Sequence, residues 1–387
     1  KYLSIVMKKN ILVYSVGRSD FYRYYPILKY LNNQRNIRMS IVASHLHYME
    51  LFGKTYYDFK NDFKIEKRNI SKTLKDKPLL AINKFSDELN YFSNIILLRK
   101  PDIVLVLGDR FEMLAPAVAS IPFNIPVIHI YGGAVTIGAV DELVRHAITK
   151  MSHLHLTAHN LYTKRIRKMG EEKWRVKTIG MPDLKILKKQ KKLSINNIKK
   201  IIKLNLENKT LLITLHPTPR EKIKLISQID NLLAAIEKTK FQTIFTYPNS
   251  DLGHQMIINK IKKFCSKNTK SRLIKYSSKI LYSNLLRHCA AMVGNSSSGI
   301  VEAASFKLPV INLGIRQDGK IKPKNIINTD FKTQNILNAI NKGVSKKFKT
   351  SLKKLKNPYE SNLSIDKICN FITRKYEKKK LLLKKFK

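Results

Sequence analysis

Short runs of continuous apolar residues alternate along this chain with longer stretches whose apolar positions recur at helical spacing. ILVYSVG (11–17), IRMSIVAS (37–44), PDIVLVLGD (101–109), IPVIHIYGG (125–133) and LHLTAH (154–159) read as strands. Between them YYPILKYLNN (24–33), DELNYFSNIILLRK (87–100), FEMLAPAVAS (111–120), DELVRHAITKMSH (141–153) and LYTKRIRKMG (161–170) read as helices. Strands apolar on both sides, separated by helices, predict a parallel sheet covered on both faces. After IGMPDL (179–184) and a Lys-rich helical stretch the rhythm restarts. Strands are predicted at 211–217, 241–250, 272–278, 291–299 and 308–314, and helices at 228–239, 257–267 and 281–290. The fold class is therefore α/β, with two doubly wound, Rossmann-like halves facing across a cleft at the carboxyl ends of their sheets. The expected domains are 1–180 and 181–365, with a boundary near Gly180–Asp183 and a basic helix over 366–387.

Composition changes this picture little. With 387 residues and 43% hydrophobic content, disorder throughout is excluded, because the apolar surface suffices to offset chain ordering. The formal charge of +47 first suggests nucleic acid. Yet 58 of the 74 basic residues are Lys and 16 are Arg, and phosphate and base recognition favours the forked guanidinium. The charge also runs from Lys8 to Lys387, enriched at 187–203, 345–356 and 374–387. A dispersed, solvated basic surface that draws in anionic small molecules is expected, with no specific nucleic-acid site. Cys265, Cys289 and Cys369 are widely spaced, form no CxxC pair and read as buried thiols of a reducing compartment. No metal site, cofactor or membrane span is expected. The opening KYLSIVMKKN runs into the first strand without a cleavage site, so a cytoplasmic location is expected.

Functional residues of an open parallel sheet gather just past the strand carboxyl ends. There this chain carries Gly17-Arg18-Ser19-Asp20, Gly108-Asp109-Arg110, Tyr131-Gly132-Gly133 and Asp141-Glu142 with Arg145-His146. The second half carries His216-Pro217, Gly294-Asn295-Ser296-Ser297-Ser298-Gly299 and Gly314-Ile315-Arg316-Gln317. GNSSSG has the content of a phosphate cradle opening a helix, and can equally be a Ser-rich helix cap. It is not a Walker loop, since Lys307 falls well inside the helix expected to follow. His216 can be a satisfied strand-end histidine, Asp109 a cap paired with Arg110, and Asp141 a second cap. Their recurrence at strand ends in both halves is harder to assign to capping alone.

LGDRFEMLAPAVAS, DELVRHAITKMSHLH, VGNSSSGIVEAASFKLPVINLGIRQDGK and the opening GRSDFYRYYPIL together resemble the hydrolysing UDP-N-acetylglucosamine 2-epimerases of sialic acid and related nonulosonate biosynthesis. The likeness runs in order from about residue 11 to 320. It implies two Rossmann-like domains in a GT-B-like arrangement, a bound nucleotide-sugar, a homodimer or homotetramer, and a C-terminal helix returning to the first domain. It further implies that Asp109 and Asp141 are acid/base carboxylates and that His216 faces the sugar-phosphate. Ser296 and Ser297 match the diphosphate cradle, and Arg18, Arg110 and Arg316 match cleft arginines. Asp20 joins the binding set, and Glu302 sits where a nucleoside-contacting acid is placed.

One departure stands out. Where the family pattern reads His-Gly-Gly-Glu, this chain has Tyr131-Gly132-Gly133-Ala134, and Ile137 replaces a further acid. Alanine transfers no proton, although Glu142 beside Asp141 offers a relocated carboxylate. Three readings follow: a hydrolysing nucleotide-sugar 2-epimerase, a nucleotide-sugar-binding or glycosyltransferase-like relative without that turnover, and a polyanion-binding protein. The choice of UDP or GDP and of the sugar is not written in any motif.

Overall fold

The apolar runs become two parallel six-stranded sheets in a computed structural model that describes residues 8–50, 54–66, 78–137, 140–204, 206, 209–218, 221, 223–249, 251–275 and 277–385. The first seven residues of the opening segment, Ser250 and residue 276 of the expected strands 241–250 and 272–278, and the last two residues of the basic tail lie outside the described set. The chain divides into two compact units. One takes the chain up to Ala134, Val140–Asp183 and the chain from Ser361 onward; the other takes Val135–Ala139 and Leu184–Glu360.

The first unit holds β1 (Lys9–Ser15), β2 (Ile37–Ala43), β3 (Ile103–Leu107), β4 (Val127–Ile130), β5 (Leu154–Thr157) and β6 (Val176–Thr178) in the order β2-β1-β3-β4-β5-β6. Beyond β2 a single parallel bridge, Ile41 to Ile65, stands where a further edge strand would add. The second unit holds β7 (Thr210–Thr214), β8 (Gln242–Thr246), β9 (Ser271–Ile274), β10 (Ala291–Gly294), β11 (Val310–Leu313) and β12 (Ile326–Thr329). Their order is β12-β11-β10-β7-β8-β9, again parallel throughout. In both sheets the order reverses about the first strand, which leaves a switch point between β1 and β3 and another between β7 and β10. Each sheet is buried on both faces. In the second, Leu211 and Ile213 of β7 join one apolar cluster while Leu212 between them joins the other, the period-2 alternation of a strand.

Helices depart from the sequence expectation at their ends. The first, α1, spans Arg18–Asn32 rather than starting at Tyr24, because Phe21, Tyr24, Ile27, Leu28 and Leu31 continue one buried face back to its first turn. Arg18 and Asp20 are thus helical, not in a loop. Next come α2 (Pro78–Arg99), α3 (Leu114–Ser120), which follows a tight 3-10 turn at Phe111–Met113, and α4 (Asp141–Met151). The single basic helix expected over 366–387 is instead two short ones, Ile365–Thr373 and Lys378–Leu382.

Charge, not apolar burial alone, fixes that tail. Arg175, fully buried, donates to the carbonyls of Lys380, Leu381 and Leu383 at 2.8–3.0 Å. Lys384 Nζ donates to the carbonyls of Lys150 and Ser152 and to Glu171 Oε1 at 2.7–2.8 Å, and His155 Nε2 lies 3.2 Å from Glu171 Oε2. Burial pushes the Glu171 carboxyl up, but these donors overcome it and hold it at about 2 against 4.5 for a free glutamate. A depressed acid stabilises the fold fully above its unfolded value and loses that contribution as pH falls towards its folded one. Glu171→Gln should therefore cost about 3 kcal/mol near neutral pH, because Lys384 is left without its counter-ion. The gap between variant and parent in a denaturant titration should close as pH falls from 4.5 to 2. A gap unchanged over that range would exclude the ion pair as its source.

Candidate functional site

The carboxyl ends of β1, β3 and β4 carry the first constellation. Its centre is Arg145 on α4, whose side chain is wholly buried. A guanidinium stays charged at any pH that a protein survives, so burying one demands anions and carbonyls around it. Its Nε (3.0 Å) and Nη2 donate to Asp109 Oδ2, and its Nη1 donates to the Ala134 carbonyl (2.8 Å) and Glu142 Oε2 (2.6 Å). Burial draws the Arg145 pKa down, and the nearby Asp109, Glu142 and Asp141 charges outweigh it and raise it. The two bonded carboxylates stay partly open, Asp109 at 30% and Glu142 at 24% side-chain exposure. The other Glu142 oxygen lies 2.9 Å from His146 Nε2.

The turn that presents Asp109 is held from below. His129 on β4 is buried, its pKa lowered to about 3 by desolvation, so it is neutral. Its Nε2 donates to the Gly108 carbonyl at 2.8 Å. Gly132 passes so close over this ring that a Cβ there would lie 2.7 Å from His129 Nδ1, which explains the glycine. Arg110 pairs with Glu112 at 3.4 Å. Asp20, buried in the first turn of α1, has its pKa raised to about 6, mainly by desolvation, with Asp109 and Glu112 adding to the rise and Arg110 opposing it.

The second constellation sits at the β7/β10 switch point and is uncharged at its centre. Asn295, 1% exposed, accepts from the His216 backbone N–H at 2.7 Å. Its side-chain amide nitrogen donates to the His216 carbonyl and Thr218 Oγ1, and its backbone carbonyl accepts from Arg316 Nη1 and Gln317 Nε2. Gly294 before it has φ +133°, and a Cβ there would lie 1.9 Å from the Thr214 carbonyl, so no other residue fits. The Asn249 backbone N–H donates to His216 Nδ1 at 2.9 Å, which leaves the ring proton of the neutral imidazole on Nε2. Ser296 caps the short helix Ser297–Val301 by accepting from Ser298 N–H. Ser298 Oγ in turn donates to Glu302 and bonds the Tyr282 hydroxyl.

Asp20, Asp109, Arg110, His216, Ser296, Glu302 and Arg316, all singled out in the sequence, have bonds or charges in these two groups, but several local readings change. Asp109 is no cap partner of Arg110: it is committed to Arg145, and no side chain caps the turn that follows. Asp141 is the first residue of α4 and not its cap, which is Val140. GNSSSG does open with a serine cap, and the helix behind it has five residues, too short for the strong N-terminal dipole expected. Lys307 ends the next turn at φ +56° rather than lying inside a helix. Tyr131 is buried at φ +66°, with its hydroxyl 3.3 Å from Asp183, which also receives Arg23. The sequence reading left Arg145, Asn295, Asn249 and Gln317 without roles. For Arg145 a signal existed: Glu142, Arg145 and His146 share one helix face at spacings of three and four. Among the described residues no group of three metal-ligating side chains occurs, and no helix is long and apolar enough to cross a membrane.

Known proteins match this arrangement over most of the chain. The model of the UDP-N-acetylglucosamine 2-epimerase family covers residues 29–373. A GDP/UDP-N,N'-diacetylbacillosamine 2-epimerase (hydrolyzing) of Campylobacter jejuni is 34% identical over 88% of this chain and 89% of its own. The polysialic acid biosynthesis protein P7 of Escherichia coli is 32% identical over 91% and 90%. The solved UDP-GlcNAc 2-epimerase of Neisseria meningitidis superposes with a TM-score of 0.77 at 18% identity, over 95% of this chain and all of that one, a likeness of fold. With two Rossmann-like α/β domains, buried strand-end ion pairs and matches of this extent, the chain belongs to the UDP-N-acetylglucosamine 2-epimerase family.

Proposed function

We propose that this protein is a hydrolysing 2-epimerase of nucleoside-diphosphate amino sugars, releasing the nucleoside diphosphate and the free 2-epimer. The observation that carries the reading is Asp109: a partly open carboxylate fixed on a buried guanidinium at a switch point, in a chain whose relatives are named for this reaction. In the first step the C2 proton passes to a carboxylate, C1=C2 forms, and the C1–O bonding pair leaves with the diphosphate. In the second, water adds its oxygen to C1 and gives up a proton, while C2 takes a proton on the opposite face. C2 is a weak carbon acid, so a positioned base and stabilisation of the departing diphosphate are both required. Asp109 is assigned as one proton-transfer group and the first turn of α4, where Asp141 matches the family pattern, as the source of the other. Ser296, Ser297, Arg316 and the Nε2–H of His216 are assigned to the diphosphate, with Arg18, Asp20 and Arg110 as further binding groups. Glu302, tied to Ser298 and Tyr282, is assigned to the nucleoside. The name of the Campylobacter jejuni relative supports including UDP- or GDP-linked N,N'-diacetylbacillosamine beside UDP-N-acetylglucosamine in the proposed substrate class.

Nucleotide binding is tested by melting. UDP or GDP at a hundredfold excess over Kd should stabilise the fold by about 2.7 kcal/mol. Ser296→Ala with Ser297→Ala should remove most of that shift; an undiminished shift would refute the cradle. Turnover is tested with Asp109→Asn, which should lower nucleoside diphosphate release by about 10² to 10⁴ while the UDP-induced shift persists. In D₂O the released sugar should carry deuterium at C2. Release without C2 deuterium would mean plain hydrolysis and would overturn the epimerase reading.

A further inference from the structure

The proton chemistry just assigned needs two groups, because inversion at C2 requires a proton to leave one face of the carbon and another to arrive on the opposite face. A single carboxylate fixed on one side cannot do both. At position 134, on the loop after β4, the chain has alanine, whose side chain carries no proton. The Ala134 carbonyl is nonetheless tied to Arg145 Nη1, and the same nitrogen holds Glu142 Oε2 at 2.6 Å. Glu142 therefore puts a carboxylate beside the Ala134 backbone, at one end of the guanidinium, while Asp109 occupies its other edge through Nε and Nη2. Both carboxylates are about a quarter exposed, whereas the group between them is sealed.

Glu142 also has a proton partner. Its Oε1 meets His146 Nε2 at 2.9 Å, one helical turn on, and His146 Nδ1 is buried with no hydrogen-bond partner among the described residues. Imidazole is the side chain suited to exchanging protons near neutral pH. The arrangement is thus carboxylate, guanidinium, carboxylate, imidazole, with the fixed charge in the middle keeping both carboxylates in register.

Building on the epimerase reading, we propose that Glu142, with His146 as its proton partner, is the second acid/base group of the reaction and fills the role that the side chain at position 134 cannot. Asp109 takes the C2 proton in the elimination. Glu142 serves the hydration: in its protonated form it delivers a proton to the opposite face of C2, and His146 passes it the proton that the added water loses at C1. The water oxygen and one hydrogen end in the C1 hydroxyl, the other water proton restores Glu142, and the C2 proton held by Asp109 is released to solvent as the nucleoside diphosphate leaves, so both groups return to their starting state with no other reactant. Arg145 positions both carboxylates.

The test uses the full chain in D₂O with UDP-N-acetylglucosamine, UDP-N,N'-diacetylbacillosamine and its GDP counterpart, following nucleoside diphosphate, saturated sugar and unsaturated glycal by mass spectrometry. Glu142→Gln should still release nucleoside diphosphate but accumulate glycal, with C2-deuterated sugar down about 10² to 10⁴. His146→Gln should raise the glycal-to-sugar ratio in the same direction. A retained UDP-induced melting shift shows that each variant is folded, which a merely structural role for Glu142 would not combine with glycal build-up. Deuterated sugar at the parental rate from Glu142→Gln would overturn the assignment while leaving the epimerase reading intact. No nucleoside diphosphate from the parent with any of the three substrates would overturn that reading, and this assignment with it.

Discussion

A permanently charged guanidinium buried at the end of a parallel sheet constrains everything around it. Arg145 cannot shed its proton, and removing one partner of a buried charge typically costs about 3–5 kcal/mol. The loop after β3 must therefore deliver Asp109, the loop after β4 must turn its Ala134 carbonyl inward, and α4 must begin early enough to place Glu142 one turn before the arginine. Three chain segments distant in sequence are fixed by one side chain. His129, neutral and buried, completes the frame by holding the Gly108 carbonyl, so that the Asp109 turn is set from two directions.

The second unit solves the same strand-end problem with an amide. The Asn295 side chain makes three hydrogen bonds across the β7/β10 switch point, and its backbone carbonyl accepts two more from the loop after β11, all without adding charge. The difference is physical. A carboxylate there could not donate to the His216 carbonyl and Thr218 Oγ1 as the amide nitrogen does, and it would add negative charge beside Arg316. The Asn249 N–H completes the arrangement by reserving the donor side of the His216 ring.

The large positive charge takes on a sharper meaning beside these pairings. Of only 27 acidic residues, many are spent on specific partners: Asp109 and Glu142 on Arg145, Glu66 on Arg99, Asp183 on Arg23, Glu171 on Lys384. What is left over is overwhelmingly lysine at the surface, a diffuse field that raises the local concentration of small anions. The same scarcity makes each buried carboxylate consequential for folding, as the tail shows, where Glu171 is held ionised against the penalty of burial.

Period and punctuation along the chain were enough to determine two doubly wound α/β domains, since continuous apolar runs between helical stretches bury both faces of a sheet and admit few other solutions. Strand-end clustering likewise brought forward Asp109, Asp141, His216, Ser296 and Arg316, because strand ends are where a parallel sheet exposes side chains. Helix ends were less legible: α1 begins at Arg18 because burial of Phe21 carries it there, a fact set by packing. Who pairs with whom was decided only in three dimensions. Asp109 stands next to Arg110 in the sequence yet binds Arg145, 36 residues away, since adjacent residues on a turn diverge while α4 lays its buried face against the β3 end. The Asn295–His216 latch spans 79 residues for the same reason: neighbouring parallel strands are joined through long crossovers, so the partners across a switch point are always remote in sequence.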